Sequence, residues 1–259
     1  MEAELVVDAA WVADHLDSVV PVDVREPWEF EGIGHLPGAV NVPFESFRDA
    51  DAPTPGTLPT AEAWATLLGE VGIAPDVTLV AYDDMHGVFA ARFVVTAWVY
   101  GHRSVHLLNG DYSAWAQDHA VETTSSTVPP TEYPIPSFDE SVFVDADTVA
   151  AAATASDAVL VDTRSPEEFR EGHIAGAVNL DWVELVEDST RRLRDRSELE
   201  AVLADRGITA DKRVVLYCNT ARRISHTYVV LRWLGFDDIG FYEGSLTEWA
   251  AQDRPVVEE

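Results

Sequence analysis

The chain is written twice. Residues 22–30 (VDVREPWEF) are matched by 161–169 (VDTRSPEEF), and residues 34–41 (GHLPGAVN) by 172–179 (GHIAGAVN). Two later pairs keep the order, 79–82 (LVAY) with 215–217 (VLY) and 109–115 (NGDYSAW) with 243–249 (EGSLTEW). The offset between copies drifts only from 139 to 134 residues along the half-chain. A repeat of this length is a duplicated domain rather than a solenoid unit, and 259 residues suffice for two domains of ordinary size. Between the copies, the Ser, Thr and Pro content of 121–136 reads as extended connecting chain. The expected organisation is a first domain over 1–120, a linker over 121–139 and a second domain over 140–259.

Each copy alternates short apolar runs with longer amphipathic ones. In the second copy strands are expected at 143–144, 158–162, 178–180, 214–217 and 240–242, and helices at 147–154, 166–171, 197–206, 223–234 and 245–250. Such alternation predicts an α/β fold, two tandem domains, each a mostly parallel sheet flanked by helices on both faces. Ligand chemistry in these folds gathers outside the carboxyl ends of the strands.

Cys218, the single cysteine, falls at such a strand end. The β-branched and aromatic run Val214 to Tyr217 ends there, and Ile224, Tyr228, Leu231 and Leu234 recur at helical spacing until Gly235 supplies a stop. A strand–loop–helix turn presents backbone N–H groups and the positive end of a helix, which favour a thiolate over a thiol. Arg222 and Arg223 add positive charge. A lone cysteine is otherwise an inert buried hydrophobe, and one sulfur excludes an internal disulfide.

The copies differ at this point. Aligning Tyr82 with Tyr217 places Asp83 opposite Cys218, in a loop (83–87, DDMHG) that has neither thiol nor arginine. A carboxylate cannot serve as a sulfur nucleophile, and paired acids repel an anionic substrate. The first copy therefore reads as an inactive scaffold closing over the active site, with a second independent binding site as the alternative. Arg164 and His173 recur as Arg25 and His35 although only one copy has a cysteine. That doubling assigns Arg164 to a structural pair with a nearby acid, Asp162 or Glu168, and the histidines to organising turns. Trp115, Trp249 and His226 read as packing.

Asp162-x-Arg164 followed by Gly172-His173-Ile174-x-Gly176-Ala177-x-Asn179, then a strand ending in Cys218, resembles the rhodanese family. The resemblance covers nearly the whole chain as a tandem pair with an inactive first domain. The loop Cys218-Asn219-Thr220-Ala221-Arg222-Arg223 is similar to that of prokaryotic two-domain thiosulfate sulfurtransferases. The resemblance implies that Cys218 attacks the outer sulfur of thiosulfate and holds it as a persulfide until cyanide or a thiol removes it. It implies that the loop of Asn219, Thr220 and Ala221 cradles the anion, that Arg223 and Arg222 bind the substrate, and that Asp162, Arg164 and His173 support the site. No metal or organic cofactor is required, and the partners are small-molecule sulfur donors and acceptors, with a monomer as the default state. The loop departs from the family at Ala221, where many members carry glycine, and at Thr220, where thiosulfate-specific relatives often carry a basic residue. Relatives that use 3-mercaptopyruvate carry an uncharged Cys-Gly-Ser/Ala-Gly loop, so thiosulfate is the preferred donor here.

Two rivals are weighed against this. Cys-dependent phosphatases and arsenate reductases need Cys-x5-Arg, and counting from Cys218 puts Ile224 where the arginine must stand. A sulfur carrier or regulatory module without turnover would keep the cysteine but lose multiple turnovers with cyanide.

The 46 acidic residues against 17 basic ones give a net charge of −29. Lys212 is the sole lysine. A surface so acidic repels phosphate backbones and excludes nucleic-acid binding. No run is long and apolar enough to span a bilayer, and the acidic start is unlike a signal peptide, so no membrane partner and a cytoplasmic location are expected. The acidity reads as adaptation to molar salt, where the Debye length falls to about 3 Å and self-repulsion is screened. Thermal unfolding should therefore move to lower temperature when molar KCl is removed; equal stability in both buffers rules the adaptation out.

Overall fold

The computed structural model describes residues 5–124 and 128–258. The first unit holds the chain up to Asp49, Leu58–Asp139 and Asp188–Arg192; the second holds Ala50–Thr57, Glu140–Glu187 and the chain from Leu193. The units therefore do not follow the two repeats strictly. Residues expected to form a linker cluster with the first unit, where Thr131 N–H donates to the Gly69 carbonyl (2.9 Å) and Tyr133 meets His102 Nδ1 (2.8 Å). Of that stretch, 125–127 lie outside the described residues.

The first repeat runs β1 (Val6–Asp8), α1 (Ala9–His15), β2 (Val19–Asp23), α2 (Pro27–Gly32), β3 (Val40–Asn41), α3 (Ala61–Glu70), β4 (Thr78–Tyr82), α4 (Val88–Val99), β5 (Val105–Asn109) and α5 (Tyr112–Asp118). The second runs α6 (Ala146–Ala152), β6 (Ala158–Asp162), α7 (Pro166–Glu171), β7 (Val178–Asn179), β8 (Val186–Glu187), β9 (Arg192–Leu193), α8 (Arg196–Ala204), β10 (Arg213–Tyr217), α9 (Arg222–Leu234), β11 (Ile239–Phe241) and α10 (Ser245–Ala251). The sheets have strand orders β1-β5-β4-β2-β3 and β11-β10-β6-β7, parallel throughout. The short ribbon β8-β9 has no counterpart in the first repeat and left no periodic signal in the sequence. The expected strand at 143–144 is reduced to one bridge, Phe143 to Phe241, at the edge that β1 fills in the first sheet. Val144 instead packs its side chain onto Gly240, in the space a Cβ would need.

The central strands are buried on both faces because helices cover both, which is why β6 (AVLVD) and β10 (RVVLY) read as continuous apolar runs. Pro166 at the first turn and a reciprocal Ser165–Glu168 capping box start α7, and Gly235 at φ 94° ends α9. No helix among the described residues is long and apolar enough to cross a membrane.

The repeated motifs build one lattice in both units. Arg164 Nε and Nη2 bind both oxygens of Asp162 (3.0 and 2.7 Å), and Nη2 also donates to the Gly172 carbonyl (2.6 Å). Arg25 repeats this on Asp23 and Gly34. Asn179 Nδ2 donates to the carbonyls of Asp162 and Arg164, as Asn41 does to those of Asp23 and Arg25. Tyr217 Oη accepts from Ile174 N–H (3.0 Å), as Tyr82 does from Leu36 (3.1 Å). His173 stacks on Phe169 (3.7 Å) with Nδ1 on the Phe169 carbonyl (2.9 Å), and His35 does the same on Phe30. Gly176 takes φ 86° against the Ala153 carbonyl, where any Cβ would collide.

Asp162 is 0% and Arg164 5% exposed, so removing one partner leaves a buried charge uncompensated. Asp162→Ala should lower unfolding free energy by about 3–5 kcal/mol, read by chemical denaturation. The exposed pair Arg48–Glu45 is the control, and Glu45→Ala should change it by less than about 1 kcal/mol. Equal effects at the two sites would show that burial does not set the value of the Asp162 pair.

Candidate active site

Strand register sets the site. Tyr217 at the end of β10 pairs with Asp162 at the end of β6, so Cys218 emerges beside the Asp162–Arg164 pair. Cys218 is 1% exposed. Its N–H donates to Ser245 Oγ (3.0 Å), and that hydroxyl donates to the Tyr242 carbonyl (2.9 Å) while lying 4.0 Å from Sγ. Ser245 holds φ 50°, a left-handed conformation rare for a side-chain residue. The loop is fastened from the start of α10: Leu246 N–H donates to the Cys218 carbonyl (3.0 Å), and Thr247 Oγ1 to the Asn219 carbonyl (2.7 Å).

Complete burial pushes the Cys218 thiol up from its ordinary value. The N–H groups of Ile224 and Arg223, the Arg223 charge and the Ser245 hydroxyl act against that. Desolvation wins because a fully buried thiolate loses its water on every side. The Cys218 sulfur lies against the Thr220 carbonyl. The direction of the shift runs against the expectation that the turn favours a thiolate over a thiol.

Ala221 adopts φ −56° and ψ −11°, ordinary right-handed geometry, so the missing glycine needs no special backbone and leaves the turn unstrained. Arg222 opens α9. Arg223, expected to face the substrate, instead donates through Nη1 to Glu168 Oε2 (2.5 Å). The same oxygen accepts from Ser165 N–H and Oγ (3.1 Å each), while Oε1 accepts from Asn219 Nδ2 (2.8 Å). Asn219 Oδ1 in turn lies 3.4 Å from Arg164 Nη1. Of the two acids considered for Arg164, Asp162 takes it and Glu168 goes to the loop. Burial pushes Glu168 up, but Arg223 and the Ser165 hydrogen bonds outweigh it and hold its carboxyl down at about 2. Its share of stability is present above its ordinary value of 4.5 and is lost as pH falls through about 2. Ile224, at the place a phosphatase arginine would need, is fully buried. Among the described residues no group of three or more His, Cys, Asp or Glu could hold a metal.

Glu168 and Ser245 are the partners that sequence reasoning did not place. Ser245 had a signal, since it stands opposite Asp111 in the fourth repeated block.

The first repeat shows what the cradle accepts. Asp83, 1% exposed at the cysteine position, receives four amides: Met85 and Gly87 on Oδ1 (both 2.8 Å), Phe89 and Ala90 on Oδ2 (2.7 and 3.0 Å). Beside it Asp111 and Asp84 both pair with Arg191.

The model of the rhodanese-like domain matches residues 8–118 and again 145–252. The chain belongs to the rhodanese-like family. Its relatives include a thiosulfate sulfurtransferase of Pseudomonas aeruginosa, 35% identical over 86% of this chain and 85% of that one. The sulfur carrier protein TtuD of Thermus thermophilus is 33% identical over 95% of this chain and 93% of its own length. The solved structure of SseA from Escherichia coli, a 3-mercaptopyruvate sulfotransferase by its description, superposes with a TM-score of 0.84. It is 27% identical and covers 94% of this chain and 99% of its own. A rhodanese-like loop with a buried thiol should alkylate slowly at rest. The iodoacetamide rate at Cys218 should reach half its limit above the ordinary thiol value of 9.0, and a midpoint near neutrality contradicts this assignment.

Proposed function

We propose that this sulfurtransferase takes the outer sulfur of thiosulfate onto Cys218 and passes it to a thiophilic acceptor such as cyanide or a thiol. The Cys218 thiol first loses its proton to solvent, and the small thiolate fraction is the nucleophile. Its lone pair forms a bond to the outer sulfur; the sulfur–sulfur bond of thiosulfate breaks and sulfite leaves with the electron pair. The enzyme is left as Cys218–S–S⁻. Cyanide then attacks the outer sulfur, thiocyanate departs, and the Cys218 thiolate returns. Charge balances at each step without a metal or organic cofactor.

One observation carries this reading: the Asp83 carboxylate lies in the first repeat where Cys218 lies in the second. A side chain ending in an anion two bonds beyond Cβ fits a ring of amides there. A persulfide on Cys218 also places its charge two bonds beyond Cβ, while a bare thiolate ends one bond short. In this reading the loop of Asn219, Thr220 and Ala221 with the first amides of α9 favours the persulfide over the thiolate. Arg222 and Arg223 supply the charge that draws in a dianion. Asp162, Arg164 and His173 fix the frame.

A second donor, 3-mercaptopyruvate, is favoured by the likeness to SseA. Steady-state kinetics with each donor and cyanide separate the two. A kcat/KM at least tenfold higher for thiosulfate is expected, and the reverse order would overturn the donor assignment. Thiosulfate should also add one sulfur to the mass of the wild type and none to Cys218→Ser. Catalytic loss of that sulfur to cyanide distinguishes an enzyme from a carrier.

A further inference from the structure

Glu168 stands where the repeat and the active site disagree. Its counterpart, Glu29, completes the same capping box on Glu26 N–H (3.1 Å). Position 88, opposite Arg223, is a valine, so in the first repeat the carboxylate keeps the cap and has no arginine at that position to hold. In the second, Glu168 reaches further and holds two loop residues, Arg223 at 2.5 Å and Asn219 at 2.8 Å. Both ends of the Arg223 pair are partly open, with side chains 22% and 28% exposed, so solvent and small anions reach them. Asp181 also lies within the field of Arg223. The Arg223 guanidinium, whose charge acts on the thiol, is thus already paired with a carboxylate.

We propose that Glu168 is a positioning residue, a displaceable counter-ion that parks Arg223 away from the donor and yields it when a dianion arrives. It rests on the thiosulfate reading for the identity of that dianion. A doubly charged donor outcompetes a single carboxylate for one guanidinium, and Arg223 swings by rotating its side chain while its N–H stays at the start of α9. The carboxylate keeps Asn219 and the cap of α7 throughout, so the loop does not lose its anchor. A singly charged anion gains less from the exchange, which makes the pair a filter for charge as well as a latch.

Glu168→Gln separates the charge from the cap, because glutamine at this helix position also closes a capping box. The expected result is a thiosulfate KM lowered about two- to fivefold, the range of a partly exposed ion pair, with a similar tightening of product inhibition by sulfite. The Cys218 alkylation midpoint should fall by a few tenths of a pH unit, because Arg223 then acts on the sulfur uncompensated. Glu168→Asp, which restores the charge, should return KM toward wild type. A KM unchanged or raised in Glu168→Gln, an aspartate variant that behaves like the glutamine one, or a glutamine variant that fails to fold each overturns the proposal. The alkylation arm needs no donor. If the wild type ignores thiosulfate while the glutamine variant still shifts the alkylation midpoint, the donor assignment fails, the counter-ion stands, and KM is read with 3-mercaptopyruvate.

Discussion

A buried aspartate–arginine pair at the end of a parallel strand organises each unit. Asp162 and Arg164 sit two residues apart, both nearly solvent-free, and the guanidinium fork reaches on to the Gly172 carbonyl. Burying two charges is unfavourable unless every remaining donor and acceptor is engaged. That requirement draws in the turn carbonyl and, through Nη1, the Asn219 side chain, while the Asn179 amide ties the backbone carbonyls of the same two residues. The loop carrying the nucleophile is thereby hung from the same pair that fixes the sheet.

The two units share this frame and diverge where the strand next to it ends. In the first, the Asp83 carboxyl sits among four amides, and Arg191 pairs with the neighbouring Asp84 and Asp111. In the second, the same turn surrounds a buried thiol, whose ionisation is opposed by desolvation and favoured by the N–H groups of Ile224 and Arg223. A cradle preorganised for negative charge stabilises what forms in the reaction more than what rests in the site.

The thiol's protonation follows from opposed influences. Burial opposes the charged sulfur, while helix-start amides and Arg223 favour it. Pairing Arg223 with Glu168 weakens the favourable side without removing the guanidinium from the neighbourhood. A carboxylate on a different element, the capping helix α7, therefore acts on the sulfur's surroundings alongside the loop's own amides and Arg223.

Much of this was legible in the residue order. Duplication, α/β alternation, the bounds of β6 and α7 and the location of Cys218 at a strand end follow from periodicity, because short-range steric and hydrophobic patterns specify local elements. Doubling of Arg164 and His173 in a copy without a cysteine likewise marked them as frame. The ribbon β8-β9 and the loss of the strand at 143–144 were not legible, since two-residue pairings depend on which edge lies alongside. Nor was the direction of Arg223. A flexible side chain with several acids in reach takes the one that packing brings to 2.5 Å, here 55 positions away in the chain. Sequence by itself decided where the single thiol stands and on which turn; only the tertiary structure decided how deeply it is buried and the partner of its neighbouring arginine, because desolvation and ion pairing depend on distances that residue order does not contain.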